Sequence, residues 1–311
     1  MKKIFCLVIT FLLAHNFLFA QPIGKKVQTI LFLGNSITYA GSYITDVETA
    51  FVLAHPDRTI NFINVGLPSE TVSGLSEEGH AGGRFPRPDL HERLHRILAV
   101  IKPDIVFACY GMNDGIYLPF DEGRFQKYKN GINWLHDTLL QTGARVIMVT
   151  PPVFDELKGG AKGYANVLDK YADWLLTQRT VKHWEVADIH YPMKKYLDAH
   201  RKLDAQFGVD GFALANDGVH PGDAGHWLMA KQLLLYLGEK TAATFSSIKL
   251  LADNYKNGAA IAKLVAERQN MMKDAWLTYT KHTRPEMKIG LPMEEAKAKA
   301  DSIQQQINVL K

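Results

Sequence analysis

The sequence predicts an α/β domain built on a parallel sheet with helices on both faces. Short, almost wholly apolar runs recur along the chain, the first four stop at or near a Gly or a Pro, and segments with helical periodicity lie between them. Such runs suit strands buried on both faces, as in parallel sheets. A chain of 311 residues has room for one large domain of this kind or two small ones. Its 47% hydrophobic and 22% charged content fits a folded protein and argues against wholesale disorder.

The first twenty residues have a separate logic. Met1-Lys2-Lys3 is a short basic segment, and Ile4 to Phe19 is apolar except for Thr10, His15 and Asn16. Leu18-Phe19-Ala20 then offers a small-residue cleavage site, so residues 1–20 read as a secretory signal peptide. The rival reading is an uncleaved anchor, but the apolar run is shorter than the ~20 residues a membrane span needs. Export to a periplasm or to the cell exterior is therefore expected, without stable membrane insertion. Loss of Lys2 and Lys3 lowers the formal net charge from +4 to about +2, which gives no electrostatic case for nucleic acid. Cys6 leaves with the signal, Cys109 is then the only thiol, and no intramolecular disulfide can form.

The strands follow in order. Val27–Leu33 runs into Gly34, Thr59–Val65 into Gly66, Asp104–Cys109 towards Gly111, and Ala144–Val149 stops before Pro151-Pro152. Trp184–Ala187 is a short fifth. Between them, Leu90–Ile101, Arg124–Gln141, Tyr164–Gln178 and Ala224–Leu237 repeat Leu and Ile at helical spacing. The domain occupies residues 21–245. From about Ser246 the composition shifts to Ala, Lys and Leu, and residues 246–311 read as a helical extension. One long helix is expected over 248–282 and a second over 293–310, with Pro285 and Pro292 between them. The extension carries no legible chemistry.

In a sheet of this kind chemistry gathers in loops at the carboxyl ends of the strands. Four such loops carry reactive residue types. Gly34-Asn35-Ser36 follows the first strand, where a Ser at a strand-to-helix turn is either a nucleophile or a helix cap. Asn64-Val65-Gly66 ends the second strand, and Gly111-Met112-Asn113-Asp114 follows the third. Asn113 offers an amide donor suited to a developing oxyanion. Asp217-Gly218-Val219-His220-Pro221 places a carboxylate three residues before a His, close enough to fix its tautomer and leave Nε2 free as a base.

In this order and at one sheet edge, the four blocks resemble the SGNH (GDSL-type) hydrolases over roughly residues 27–240. That resemblance implies a flavodoxin-like three-layer α/β/α sandwich and ester hydrolysis with no cofactor and no metal. It implies Ser36 as nucleophile, His220 as general base and Asp217 as third member. The Ser36 and Gly66 N–H groups and the Asn113 side chain would form the oxyanion hole. One departure is visible: the first block usually reads Gly-Asp-Ser, and here Asn35 stands in the Asp position.

The substrate is less legible. Arg84 and Arg87, on the Gly/Pro-rich stretch Glu78–Asp89, would bind the carboxylate of an acidic sugar or else be solvated loop residues. Tyr110, Met112 and Tyr117 flank Asn113 as either a stacking wall for a sugar or simple packing. The resemblance favours a carbohydrate O-acetylesterase acting on an acylated small molecule or polysaccharide. The alternatives are a lysophospholipase or short-chain acyl esterase, and a non-catalytic carbohydrate-binding protein of the same fold. The oligomeric state is not legible.

Overall fold

The computed structural model describes residues 22–209 and 211–311. The expected signal peptide lies outside the described residues. All five apolar runs are strands of one parallel sheet: β1 (Thr29–Gly34), β2 (Asn61–Asn64), β3 (Ile105–Cys109), β4 (Arg145–Val149) and β5 (Glu185–Ala187). The helices are α1 (Ser36–Ala40), α2 (Ser42–Ala54), α3 (Leu90–Val100), α4 (Glu122–Leu140), α5 (Glu156–Gly159), α6 (Tyr164–Val181), α7 (His190–Phe207), α8 (Asp223–Tyr236), α9 (Ile248–Asp253), α10 (Gly258–Tyr279) and α11 (Met293–Leu310).

The strand order β2-β1-β3-β4-β5 is that of a flavodoxin-like doubly wound sheet. The order also sorts the helices into layers. A right-handed crossover from β1 to β2 runs one way across the sheet, and the later crossovers run the other way. So α2 covers one face, while α3, α4 and α6 cover the opposite one. Helix α8 follows β5 and returns to pack on α2. Strands β1 and β3 lie inside the sheet and are buried almost throughout, which is why their sequences are apolar without alternation.

Register then sets the site. Gly34 pairs with Cys109, Phe32 with Asn64, and Cys109 with Val149. The loops after β1, β2 and β3 therefore leave the sheet at one edge.

Three parts of the fold differ from the sequence expectation or were not foreseen by it. The long helix expected over 248–282 is broken into α9 and α10. Asn257 turns the chain with φ +57, and a side chain at Gly258 would strike the Ala252 carbonyl at 2.0 Å. Helix α2 shows no clear stripe because it is buried on nearly all sides, from Tyr43 to Leu53. Helix α7 was not foreseen because its apolar stripe is thin: only His190, Met193 and Leu197, at i, i+3 and i+7, are buried.

The C-terminal helices are not detached. Helix α10 packs on α2 and on edge strand β2, and α11 packs on α10. Gln269 Nε2 donates to the Phe62 carbonyl of β2 at 2.8 Å and to Glu48 of α2. Arg268 Nη2 meets Glu48 Oε1 at 2.6 Å. An exposed sheet edge is thereby covered. Ile261, Val265, Ile303 and Ile307 are buried in the same core as the strands.

Candidate active site

Strand β1 delivers the chain to Asn35, which caps α1. Its side-chain Oδ1 accepts from the Ile37 N–H at 3.1 Å. Asn35 thus meets the local hydrogen-bonding need at the position where Asp is usual. Ser36 is the first residue of α1, and its N–H has no acceptor among the described residues. Helix α1 is short because Gly41, at φ +80, closes it in the left-handed conformation. Asn64 at the end of β2 ties this turn to its neighbour. Its Nδ2 donates to the Thr38 carbonyl at 2.7 Å, and its Oδ1 accepts from the Gly66 N–H at 2.9 Å. A Cβ on Gly66 would lie 2.4 Å from Tyr39 N, so only glycine lets α1 sit this close.

His220 reaches Ser36 from the loop before α8. Its Nε2 lies 2.8 Å from Ser36 Oγ, and its Nδ1 lies 2.7 Å from Asp217 Oδ2. A carboxylate only accepts, so Nδ1 carries the proton and Nε2 accepts from the serine hydroxyl. Asp217 Oδ1 also accepts the Val219 and His220 N–H groups at 2.9 and 2.7 Å. Partial burial raises the Asp217 carboxyl, but these amides and the His220 ring outweigh it and hold the group below the ordinary carboxylate range. The His220 and Asp217 side chains are 49% and 56% exposed, so this chain of bonds is open to solvent.

The opposite wall is buried. Asn113, 3% exposed, donates from Nδ2 to the Glu70 carbonyl at 3.1 Å and accepts at Oδ1 from the Tyr117 hydroxyl at 3.1 Å. Asp114 accepts the Val72, Ser73 and Gly111 N–H groups, binding the loop after β2 to the loop after β3. Burial pushes its carboxyl up, and these amides pull it back. Glu70 is fully buried against Arg93, with Nε–Oε1 at 2.5 Å and Nη2–Oε2 at 2.7 Å, and accepts the Tyr110 hydroxyl at 2.7 Å.

The loop after β2 holds one more group, which the sequence did not signal. From Val65 to Ser73, every backbone N–H but one has an acceptor among the described residues. The Gly66 N–H is committed to Asn64, and Pro68 has none to give. The exception is Ser69, which holds φ at +68, uncommon for a residue with a side chain. It lies between Leu67, whose N–H meets the Gly34 carbonyl, and Glu70, whose carbonyl holds Asn113.

The remaining expected residues fall as follows. Arg84 is exposed and paired with Glu286 at 2.8 Å. Arg87 is buried, and Glu77 grips its guanidinium at 2.6 Å through both oxygens. Tyr110 and Met112 are each 1% exposed and belong to the core. Tyr117 lies over Asn113 and against Arg87. Among the described residues no cluster of three or more His, Cys, Asp or Glu is placed to hold a metal ion. None of their helices is long and apolar enough to cross a membrane.

Known proteins share this fold. The acetylxylan esterase of Geobacillus stearothermophilus superposes with a TM-score of 0.53 at 22% identity, over 71% of this chain and 97% of that one. Two further structures of that esterase are described as catalytic mutants, one with a serine and one with an aspartate replaced by alanine. They give TM-scores of 0.53 and 0.54 at 22% and 21% identity, each over 70% of this chain and 97% of that one. A gut microbial diltiazem-metabolizing enzyme gives 0.54 at 20% identity over 71% of this chain. This chain spans 49% of that enzyme's length, about half of it. No curated protein matches the chain in sequence. Residues 32–228 match the GDSL-like Lipase/Acylhydrolase family, a span that holds every one of the four loops. The chain therefore belongs to the GDSL-like lipase/acylhydrolase family and is a serine ester hydrolase.

Proposed function

We propose that the protein is an exported carbohydrate O-acetylesterase with Ser36 as nucleophile, His220 as general base and Asp217 as its orienting carboxylate. The observation that carries the mechanism is the unbroken Ser36–His220–Asp217 chain at 2.8 and 2.7 Å. His220 Nε2 takes the Ser36 proton as Oγ attacks the ester carbonyl. The oxyanion is met by the Ser36 N–H, the Asn113 amide and, since Gly66 is committed elsewhere, the Ser69 N–H. The imidazolium returns its proton to the departing alcohol. Water, deprotonated by His220, then releases the acid from Ser36.

Support for the sugar ester comes from the fold shared with an acetylxylan esterase, and from a half-exposed His220–Asp217 pair open enough to meet a polymer. Export rests on residues 1–20 as a cleaved signal. A second reading, a short-chain acyl esterase or lysophospholipase, is favoured by an apolar side chain on the short helix beside Asp217. Leu157 of α5 is 77% exposed, and Gly159 of the same helix abuts the Asp217 carbonyl.

The test is release of acetate from a panel of acetylated oligosaccharides and polysaccharides, beside lysolipid and p-nitrophenyl acetate. Acetate from the sugars is expected, and Ser36→Ala is expected to lower it by roughly 10⁴–10⁶. Preference for lysolipid would select the second reading. Wild-type turnover in Ser36→Ala would overturn the mechanism.

A further inference from the structure

We propose that Tyr117 is a positioning residue that sets the orientation of the Asn113 amide, and that Arg87 holds Tyr117 and Ser69 in place together. The proposal rests on the reading of Asn113 as an oxyanion donor.

An amide side chain can face either way, and only one way serves an oxyanion. The Tyr117 hydroxyl donates to Asn113 Oδ1 at 3.1 Å. The Glu70 carbonyl can only accept, so Nδ2 faces it, the Tyr117 hydroxyl donates to Oδ1, and the two contacts together hold the flip. One Nδ2 hydrogen goes to the Glu70 carbonyl at 3.1 Å, and the other is left for the substrate. The reverse flip would set Oδ1 against the Glu70 carbonyl, acceptor to acceptor, and leave no donor.

The backbone is bent to bring the hydroxyl there. Ile116 and Tyr117 hold φ at +50 and +58, two consecutive left-handed residues, and the first is β-branched. Such a conformation carries a free-energy cost and persists only where the surroundings impose it. Here the Tyr164 hydroxyl accepts from the Gly115 N–H and donates to the Met112 carbonyl, clamping the turn from both sides. The Tyr117 ring stacks on Tyr164 with centroids 4.8 Å apart and lies under the Arg87 guanidinium at 5.3 Å. The ring is thus packed against two neighbours while its hydroxyl is engaged by Asn113, which suits orienting a donor.

Arg87 joins the two sides. Glu77 fixes its guanidinium through two bonds of 2.6 Å, and the remaining Nη1 donates to the Ser69 carbonyl at 3.4 Å. One side chain thus touches Ser69 directly and Asn113 through Tyr117.

Tyr117→Phe removes the hydroxyl and keeps the ring. We expect kcat to fall roughly 10-fold with KM within about twofold, less than the loss on deleting the donor itself. In an Asn113→Ala background the same change should have no further effect, since there is no amide left to orient. Thermal unfolding of the four proteins of this cycle shows whether each is folded. If Tyr117→Phe keeps wild-type kcat, or its loss persists undiminished in Asn113→Ala, the positioning role is overturned. If Asn113→Ala itself keeps wild-type kcat, the oxyanion reading fails first and the proposal falls with it.

Discussion

The two walls of the site are built on opposite principles. On one side, His220 and Asp217 stand about half-exposed on a loop, held by three hydrogen bonds onto one carboxylate. On the other, Asn113, Asp114, Glu70 and Arg93 are 0–3% exposed and tie together the loops after β2 and β3 and helix α3. The difference fits what each wall would handle in the proposed mechanism. A proton relay exchanges with substrate and water, so it needs correct tautomer and aim more than a dry setting. Stabilising a transient charge needs dipoles that are already fixed, in surroundings where they are not screened. The relay should therefore be separable from folding, and the oxyanion wall should not.

The sharpest break of that comparison is Asp217→Asn. It keeps the shape of the loop but removes the charge that holds His220 Nδ1 protonated. Turnover is expected to fall by about 10⁴, the scale seen when a wrong tautomer is imposed on such a relay. The thermal midpoint should hardly move, because the side chain is 56% exposed. Steady-state kinetics and a melting curve on one preparation check both halves. A large fall in stability together with rate would show the relay to be part of the folding scaffold.

The same contrast explains what the sequence could disclose. The three residues of the proposed relay were legible, since a Ser after a strand and an Asp three residues before a His are local patterns. The sheet was legible for the same reason, each buried strand being a contiguous apolar run. The oxyanion wall was only half legible. Asn113 declares itself by its loop. The Glu70–Arg93–Tyr110 group does not, because its members are 23 and 40 residues apart and nothing local marks a buried ion pair. Arg87 read as a carboxylate-binding or solvated loop residue, since the Gly/Pro-rich stretch hides the fact that Glu77 folds back onto it. The Ser69 N–H, proposed as an oxyanion donor, was not signalled because serine gives no sign of a positive φ. Gly66 drew notice in its place, and close packing against α1 already accounts for a glycine there.

Arg93→Met tests the buried wall. It leaves the Glu70 carboxylate without its cation in a site with no water-exposed surface. Removing one partner of such a pair typically costs ~3–5 kcal/mol, far more than the pair contributes over an apolar substitute. Chemical denaturation should show a loss of this size, with slower turnover as the Glu70 carbonyl that holds Asn113 loosens. Replacing both partners, as Glu70→Leu with Arg93→Met, should recover much of the stability. Restored stability with turnover still low would separate the pair's two roles, one in folding and one in aiming Asn113.

The smallest effect lies beneath the relay, where α2 meets α8. Asp46 is 9% exposed there and accepts no hydrogen bond among the described residues, unlike Asp114 with its three amides. Burial, and then the charge of Asp223 at the start of α8, push its carboxyl up to about 7. The sign follows from proton binding. Between the ordinary carboxylate range and about pH 7 the unfolded chain has released this proton and the folded chain has kept it. Folding stability contributed by this group therefore falls as pH rises through that window, by at most ~1.4 kcal/mol per pH unit. Asp46→Asn, which cannot ionise, should flatten the slope and leave the variant more stable than the parent at pH 8. Denaturation midpoints at pH 5, 6, 7 and 8 measure it. Parallel curves for the two proteins would mean that Asp46 is ionised in the fold.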